Sequence, residues 1–367
     1  MKILFEVSHP AHVHFFKNAI WNLENRGHKI LIVARDKDIT LDLLNAYKLD
    51  YKLIGKNYSG LINKALELIK MDYVLLKIVK IFKPDIFVGR GSPYLAHLSK
   101  LVKKPYIAFV DTEHANLVAA LTLPFANVIC TPSCFKKKLN QKKHVRFNGY
   151  KELAYLHPNY FKPDSSVLDD LGLSKHDKFI IMRFGSWSAS HDSRSKGIKY
   201  GSEFEFVKSL ELYGHVFITS ERELPTSLQK YKLNIYPENI HSLLSFAQLY
   251  VGEGETMAVE SAILGTPAID VEAITLKQGT FDITAIHGNA YELVNKYKLM
   301  FAFSDQNQAL EKAIELLEDK QLKKKWMKKR EKLLKDKIDV TAFMTEFIEK
   351  YPESFYKYCK SRGEENI

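Results

Sequence analysis

The sequence predicts an α/β protein built from two doubly wound halves that face one cleft. Strand-like and helix-like segments alternate from the first residues, an order that gives a parallel sheet with helices on both faces. The chain has 367 residues, and at roughly 100–200 residues per core that is enough for two. The alternation breaks over residues 149–174, where His157-Pro158 and Lys162-Pro163-Asp164 interrupt it, and then starts again.

In the first half, residues 3–7 are a short apolar run with one acid inside it, the pattern of a buried first strand. Residues 13–26 follow helical spacing and end at Gly27, a residue suited to a helix stop. Residues 28–34 and 51–54 read as strands around a helix at 38–47. A long lysine-bearing helical stretch covers 59–82. Strands at 85–88, 106–109 and 128–131 follow, with a helix at 93–100. The second half repeats this grammar. Its strands fall at 179–184, 215–219, 234–236, 249–251 and 268–271, and its helices at 203–212, 240–246, 256–264 and 306–319. Residues 316–337 are strongly basic, and 341–358 read as a last amphipathic helix. This gives a Rossmann-like domain over 1–160, a second over 165–340, and a helix and tail over 341–367.

Hydrophobic residues make up 46% of the chain, enough for an ordinary core in each half and too many for a disordered protein. The net charge of +11 favours anionic partners without choosing among nucleotides, nucleic acid and lipid head groups. Cys130, Cys134 and Cys359 are sparse, odd in number and without CxxC spacing, which argues against a disulfide framework and fits a cytoplasmic protein. The first apolar run is too short for a signal peptide, and no stretch is long and apolar enough to span a bilayer.

The strongest motif runs from Gly252 to Pro267, a strand, a glycine turn, a helix, a glycine stop and a strand. Glycines let backbone approach a ligand. The helix that begins near Glu255 offers free N–H groups and a positive dipole end, which suits a diphosphate. Glu260 lies one turn beyond Thr256 on the same face, where a carboxylate could accept both hydroxyls of a ribose. The same letters also suit a tight strand–helix turn with no ligand.

This segment resembles the nucleotide-sugar signature in the second domain of GT-B enzymes, as does the helix and strand over 239–251 that lead into it. The resemblance implies a GT-B fold whose last helix crosses back to the first domain. It places the diphosphate on Gly254, Glu255, Thr256 and Met257, and the ribose on Glu260, with that side chain facing a solvated cleft. Gly185, Ser186, Ser220 and Arg222 close the ends of the first two strands of that half, where related enzymes touch phosphate and nucleobase. Arg183 is a weaker candidate there. In the first half, His12-Val13 matches a His-Val pair in the lipid-linked N-acetylglucosaminyltransferase of peptidoglycan synthesis, although Pro10 and Ala11 stand where that enzyme has glycines. Residues 84–91 and 109–114 resemble two further loops of it. Nearly the whole chain is similar to a mainly archaeal GT-B-like family of unknown function, through 9–16, 149–156 and the glycine turn.

Sugar transfer to a hydroxyl needs a base, a histidine or carboxylate tunable toward neutrality. His12, His9, Asp111 and Glu113 are the candidates, while His14, on the first helix turn, reads as a helix cap or a hydrogen-bonded loop residue. The three histidines with Asp111 and Glu113 also have the chemistry of a zinc or manganese site. The GT-B resemblance implies a reaction without bound metal or other cofactor. The expected function is therefore a glycosyltransferase moving a sugar from a nucleoside diphosphate sugar to a glycan, glycolipid or other hydroxyl acceptor, in surface polysaccharide or glycolipid synthesis. A non-hydrolysing sugar-nucleotide 2-epimerase shares the architecture, with Asp111, Glu113 and His191 as its acid/base groups. A nucleic-acid binder fits the charge alone, but no motif with interleaved aromatics supports specific binding. The 188–194 loop receives no role. Finally, residues 63–82 carry Lys64, Lys70, Lys77 and Lys80 among leucine, isoleucine and valine. Such a helix either lies on an anionic membrane surface or packs its apolar stripe on its own sheet.

Overall fold

The computed structural model describes residues 1–56, 61–113, 116–185, 198, 201–271 and 287–361, with 61–69 described by backbone alone. The chain divides into two units, Met1–Tyr160 with Ile338–Ile367, and Phe161–Lys337.

The first unit is built on β1 (Lys2–Val7), β2 (Lys29–Asp36), β3 (Tyr51–Lys56), β4 (Ile86–Gly89), β5 (Tyr106–Phe109), β6 (Val128–Pro132) and β7 (His144–Phe147). Their order is β3-β2-β1-β4-β5-β6-β7, and every pairing is parallel. The connecting helices are α1 (Pro10–Asn25), α2 (Thr40–Ala46), α3 (Leu61–Phe82), α4 (Pro93–Leu101), α5 (Asn116–Thr122) and α6 (Leu153–Leu156). Strands β4, β5 and β6 are buried throughout, as expected of parallel strands covered on both faces. Met71, Leu75 and Val79 form a buried stripe on α3 that packs with Leu4, Phe87 and Ile129. Over its described side chains, α3 therefore keeps its apolar stripe for its own sheet.

The second unit runs β8 (Phe179–Phe184), α7 (Glu203–Glu211), β9 (His215–Ser220), α8 (Ile240–Phe246), β10 (Leu249–Gly252), α9 (Glu255–Leu264), β11 (Ala268–Asp270), α10 (Gly288–Asn295), β12 (Met300–Ala302), α11 (Gln306–Glu318) and α12 (Leu322–Asp336). Its five strands are also all parallel, in the order β12-β11-β10-β8-β9. The chain then returns to the first unit as α13 (Val340–Glu349) and α14 (Glu353–Ser361). Helix α13 packs on α1 and α6. The carbonyl of Ala154 accepts from Asn18 Nδ2 at 2.8 Å and from Thr341 Oγ1 at 2.6 Å, tying the three helices together. A Cβ on Gly149 would come within 2.4 Å of Val340 Cγ2, so this glycine is what lets the returning chain pass.

Three expectations need correction. Residues 149–156 are not linker but a buried part of the first unit. Residues 234–236 form no strand: β9 gains only the single bridge Ile218–Lys232, and Pro237 then opens a 3-10 turn. The helix expected over 341–358 is two helices with Pro352 between them. Strands β7 and β12, and helices α5, α6, α10 and α12, had not been anticipated.

Candidate active site

In an open parallel sheet, ligands bind beyond the carboxyl ends of the strands, where the strand order reverses. Each unit has one such point: between β1 and β4 in the first, and between β8 and β10 in the second. The sequence candidates cluster at these two points.

At the first, His9 caps α1, with Nδ1 accepting from Ala11 N at 3.2 Å. Pro10 has no N–H, and His12 N donates to His9 O, so the start of α1 keeps its donors for itself. His12 Nδ1 accepts from Ser8 N at 3.3 Å. Burial lowers the pKa of His12 well below the usual histidine value, reinforced by Arg90, His9, Lys37 and Lys151. Burial also lowers that of His9, followed by Lys37. Both rings are therefore neutral with the lone pair of Nδ1 engaged, which places the proton on Nε2. They present N–H donors. For His12, taking a proton at Nδ1 would break its bond to Ser8 N.

The carboxylates are engaged as well. Asp111 pairs through Oδ1 with Arg90 and through Oδ2 with Lys151 at 3.0 Å, and Lys151 also reaches Glu152 at 3.5 Å. Arg90 stacks over Phe15 at 4.8 Å, and burial draws its pKa down to about 10. Glu113 is buried and accepts from Lys136 N at 2.9 Å, holding the chain after β6. Neither carboxylate stands as an unpaired base. His14 is a packed histidine between Tyr47 and Tyr155. Among the described residues no group of three or more His, Cys, Asp or Glu is arranged to hold a metal. Unforeseen in the sequence is Glu6, buried at the end of β1. Its Oε1 accepts from Ser8 Oγ, its Oε2 lacks a partner among the described residues, and burial raises its pKa.

At the second point, Gly254 precedes α9 with φ +104°, a conformation that favours glycine, and no side chain caps the helix. The uncapped first turn leaves its N–H groups and the positive end of the helix dipole available. Arg183 lies over this turn: a Cβ on Gly254 would meet Arg183 Nε at 3.0 Å, and Nη1 contacts Met257 Sδ at 3.7 Å. The guanidinium pairs with the half-exposed Glu221. Arg183, the weaker sequence candidate, is thus a cation placed at the helix start.

The acidic residues around Gly254 fasten neighbouring loops. Glu253 is buried, and accepts from Gly185 N at 2.7 Å and Ile198 N at 2.9 Å. Glu255 accepts from His287 N at 3.1 Å and pairs with His287 Nδ1 at 2.8 Å. Glu255 and Gly185 therefore serve the scaffold directly. Ser220 forms a turn with Arg222, accepting from its N at 3.1 Å and donating to its O at 2.8 Å. Arg222 pairs with the buried Glu203 at 3.0 Å and stacks over Phe184. Glu260 does not face solvent: it is 6% exposed, with Oε1 3.2 Å from His241 Nε2. Helix α9 is apolar on all sides and buried from Ala258 to Leu264, so a carboxylate within it needs a partner, and α8 supplies one. Ser186, His114, His191 and the 188–194 loop lie outside the described residues.

The chain matches, over residues 1–346, the family described as Protein of unknown function (DUF354), and it belongs to that family. It is 26% identical over 282 residues to an uncharacterized protein of Methanocaldococcus jannaschii, covering 73% of this chain and 81% of that one. Among solved structures it is similar to the UDP-GlcNAc 2-epimerase from Neisseria meningitidis bound to UDP-GlcNAc (TM-score 0.62, 12% identity, 97% of this chain and 100% of that one). It is also similar to the spinosyn rhamnosyltransferase SpnG (TM-score 0.61, 13% identity, 94% and 99%). At these identities the likeness establishes the GT-B fold, which glycosyltransferases and 2-epimerases share.

Proposed function

We propose that this member of the DUF354 family is a glycosyltransferase that binds a nucleoside diphosphate sugar on its second unit and passes the sugar to a hydroxyl acceptor. The carrying observation is the start of α9: an uncapped helix turn behind Gly254, with Arg183 against it, at the switch point of a parallel sheet. A guanidinium beside the positive end of a helix is unfavourable unless an anion lies near both. In this structure Arg183 is paired with Glu221. In the proposal a diphosphate takes its place, held by the N–H groups of residues 255–257 and by Arg183. Glu260, steadied by His241, accepts the ribose hydroxyls.

The same donors stabilise the departing diphosphate, since they are fixed before charge develops on it. No metal is assigned to this step. On the first unit, His9 and His12 offer two neutral N–H donors amid Lys37, Arg90 and Lys151. That surface suits an oxygen-rich acceptor, a glycan or glycolipid, which His12 orients as a donor; as its oxygen bonds the sugar and the sugar–phosphate bond breaks, its hydroxyl proton passes to the departing diphosphate. Asp111 keeps Arg90 and Lys151 in place.

The test begins with calorimetric titration of nucleoside diphosphates, followed by incubation of the matching sugars with and without hydroxyl acceptors. Acceptor-dependent release of nucleoside diphosphate, lost in Arg183→Ala, is the expected result. A change of sugar configuration without acceptor would replace transfer by 2-epimerisation. Absence of any nucleotide binding would overturn the reading.

A further inference from the structure

We propose that the α4–α5 face of the first unit docks on an anionic lipid bilayer. The observation is a group of large apolar side chains left in water. Leu117 is 73% exposed, Leu101 67%, Leu121 45%, Val118 43% and Phe125 39%. Leu117, Val118 and Leu121 lie on α5, Phe125 follows it, and Leu101 ends α4, which packs against α5. His97 of α4 joins the two elements, with Nε2 3.1 Å from Leu121 O and its ring 4.7 Å from that of Phe125. Scattered exposed leucines are ordinary, but a contiguous group marks a surface that meets an apolar partner.

The charge around this group identifies the partner. Lys137 Nζ bonds Asn116 Oδ1 at the start of α5, and Lys143 Nζ bonds Pro124 O and Ala126 O, both at 2.9 Å, beyond its end. Lys100 lies close enough to Lys143 to lower its pKa, after burial. Lys103, Lys104, Lys136, Lys138 and Lys142 are exposed in the adjoining segments. Between residues 91 and 150 the acids are Asp111 and Glu113, the first ion-paired and the second buried. Two acids border the face, Asp85 4.0 Å from Lys104 and Asp72 near His97, but the lysines outnumber them, and an apolar centre with a net basic rim is complementary to lipid tails beneath anionic head groups. A cavity of about 540 Å³ opens beside α5, walled by Ala119, Ala120, Leu123, Pro124 and Leu139, with Lys143 at its edge. An acyl chain fits that wall, with its phosphate toward the lysine. No helix among the described residues is long and apolar enough to cross a membrane, so contact is with the surface. The site differs from the one the sequence suggested, because the described part of α3 buries its stripe in the core.

The test is flotation of the full chain with vesicles of phosphatidylcholine alone and with phosphatidylglycerol added, at low and high salt. Binding is expected on the anionic vesicles at low salt and is lost at high salt. The double variant Leu117→Ser, Leu121→Ser lowers the bound fraction at least about tenfold. Lys100→Glu with Lys142→Glu lowers it and flattens the salt dependence. Leu212→Ser, at an 84% exposed leucine of the second unit, leaves it unchanged. Equal binding to neutral vesicles, retained binding by the leucine double variant, or absence of binding at low salt overturns the proposal. So does a dimer that the leucine variant converts to monomer without any vesicle binding, which would assign the face to a second copy.

Discussion

Replacing Glu260 separates its two jobs. The carboxylate is buried beside His241 at 3.2 Å, with side-chain exposures of 8% and 4%. Glu260→Ala removes the partner of a buried imidazole nitrogen, which costs about 1–3 kcal/mol. For a unit of this size that corresponds to a melting temperature lower by roughly 2–12 °C. Glu260→Gln keeps an oxygen toward His241 and melts close to the parent protein. It does remove the charge, and a charge-assisted bond to a ribose hydroxyl contributes about 1.5–3 kcal/mol. Nucleoside diphosphate affinity in Glu260→Gln should therefore fall roughly 10- to 150-fold. Thermal melts and calorimetric titration read the two effects on the same samples. An alanine variant that melts like the parent refutes the structural role. A glutamine variant with parental affinity refutes the ribose assignment.

Gly254→Ala places a side chain at φ +104° against Arg183, and should cost about 1–3 kcal/mol and weaken nucleotide binding, both measurable by the same titration and melts. Gly149→Ala should destabilise by about 1–3 kcal/mol through Val340, and the double variant with Val340→Ala should recover much of it in chemical denaturation. The pKa of Glu6 is raised in the folded state, so its contribution to stability is fully present below the unfolded value of 4.5 and is lost as pH rises through the folded value. Glu6→Gln should accordingly be more stable at neutral pH, and a melt series from acid to neutral tests the sign. His12 is shifted the other way: its folded pKa is depressed, so stability falls as pH drops below 6.5. Nitrogen-15 NMR should show its ring as the neutral Nε2–H tautomer at neutral pH, and detection of Nδ1–H would leave the Nε2 lone pair as the base and refute its role as a donor.

The sequence made the sheets legible because parallel strands buried on both faces are short apolar runs with clear ends. Strand β7 escaped because His144 and Arg146 break its apolar run, and β12 because three residues carry too little pattern. The glycine turn could also be found from letters alone, since φ +104° before a helix demands the residue found there. The use of its acids could not. Glu253 and Glu255 flank the same glycine, yet one fastens Gly185 and Ile198 and the other His287, partners far along the chain. Glu260 could have been read better: a helix apolar on every side announces that an acid in its middle is buried. Which nitrogen of His12 carries the proton depends on Ser8 N, a backbone donor with no signature in the sequence.

The bond from Thr341 to Ala154 joins residues 187 positions apart, with the whole second unit between them. During synthesis α1 and α6 leave the ribosome long before α13 exists to cover them, so the first unit waits with that face open while the second unit folds. Closing so long a loop by random search costs conformational entropy that grows with the logarithm of its length. A folded second unit shortens the search, because the segments at 160 and 338 then hang from one rigid body rather than from a free chain. The fold is thus assembled from the inside out: its inserted unit is finished first, and its first unit is sealed afterwards by α13 and α14.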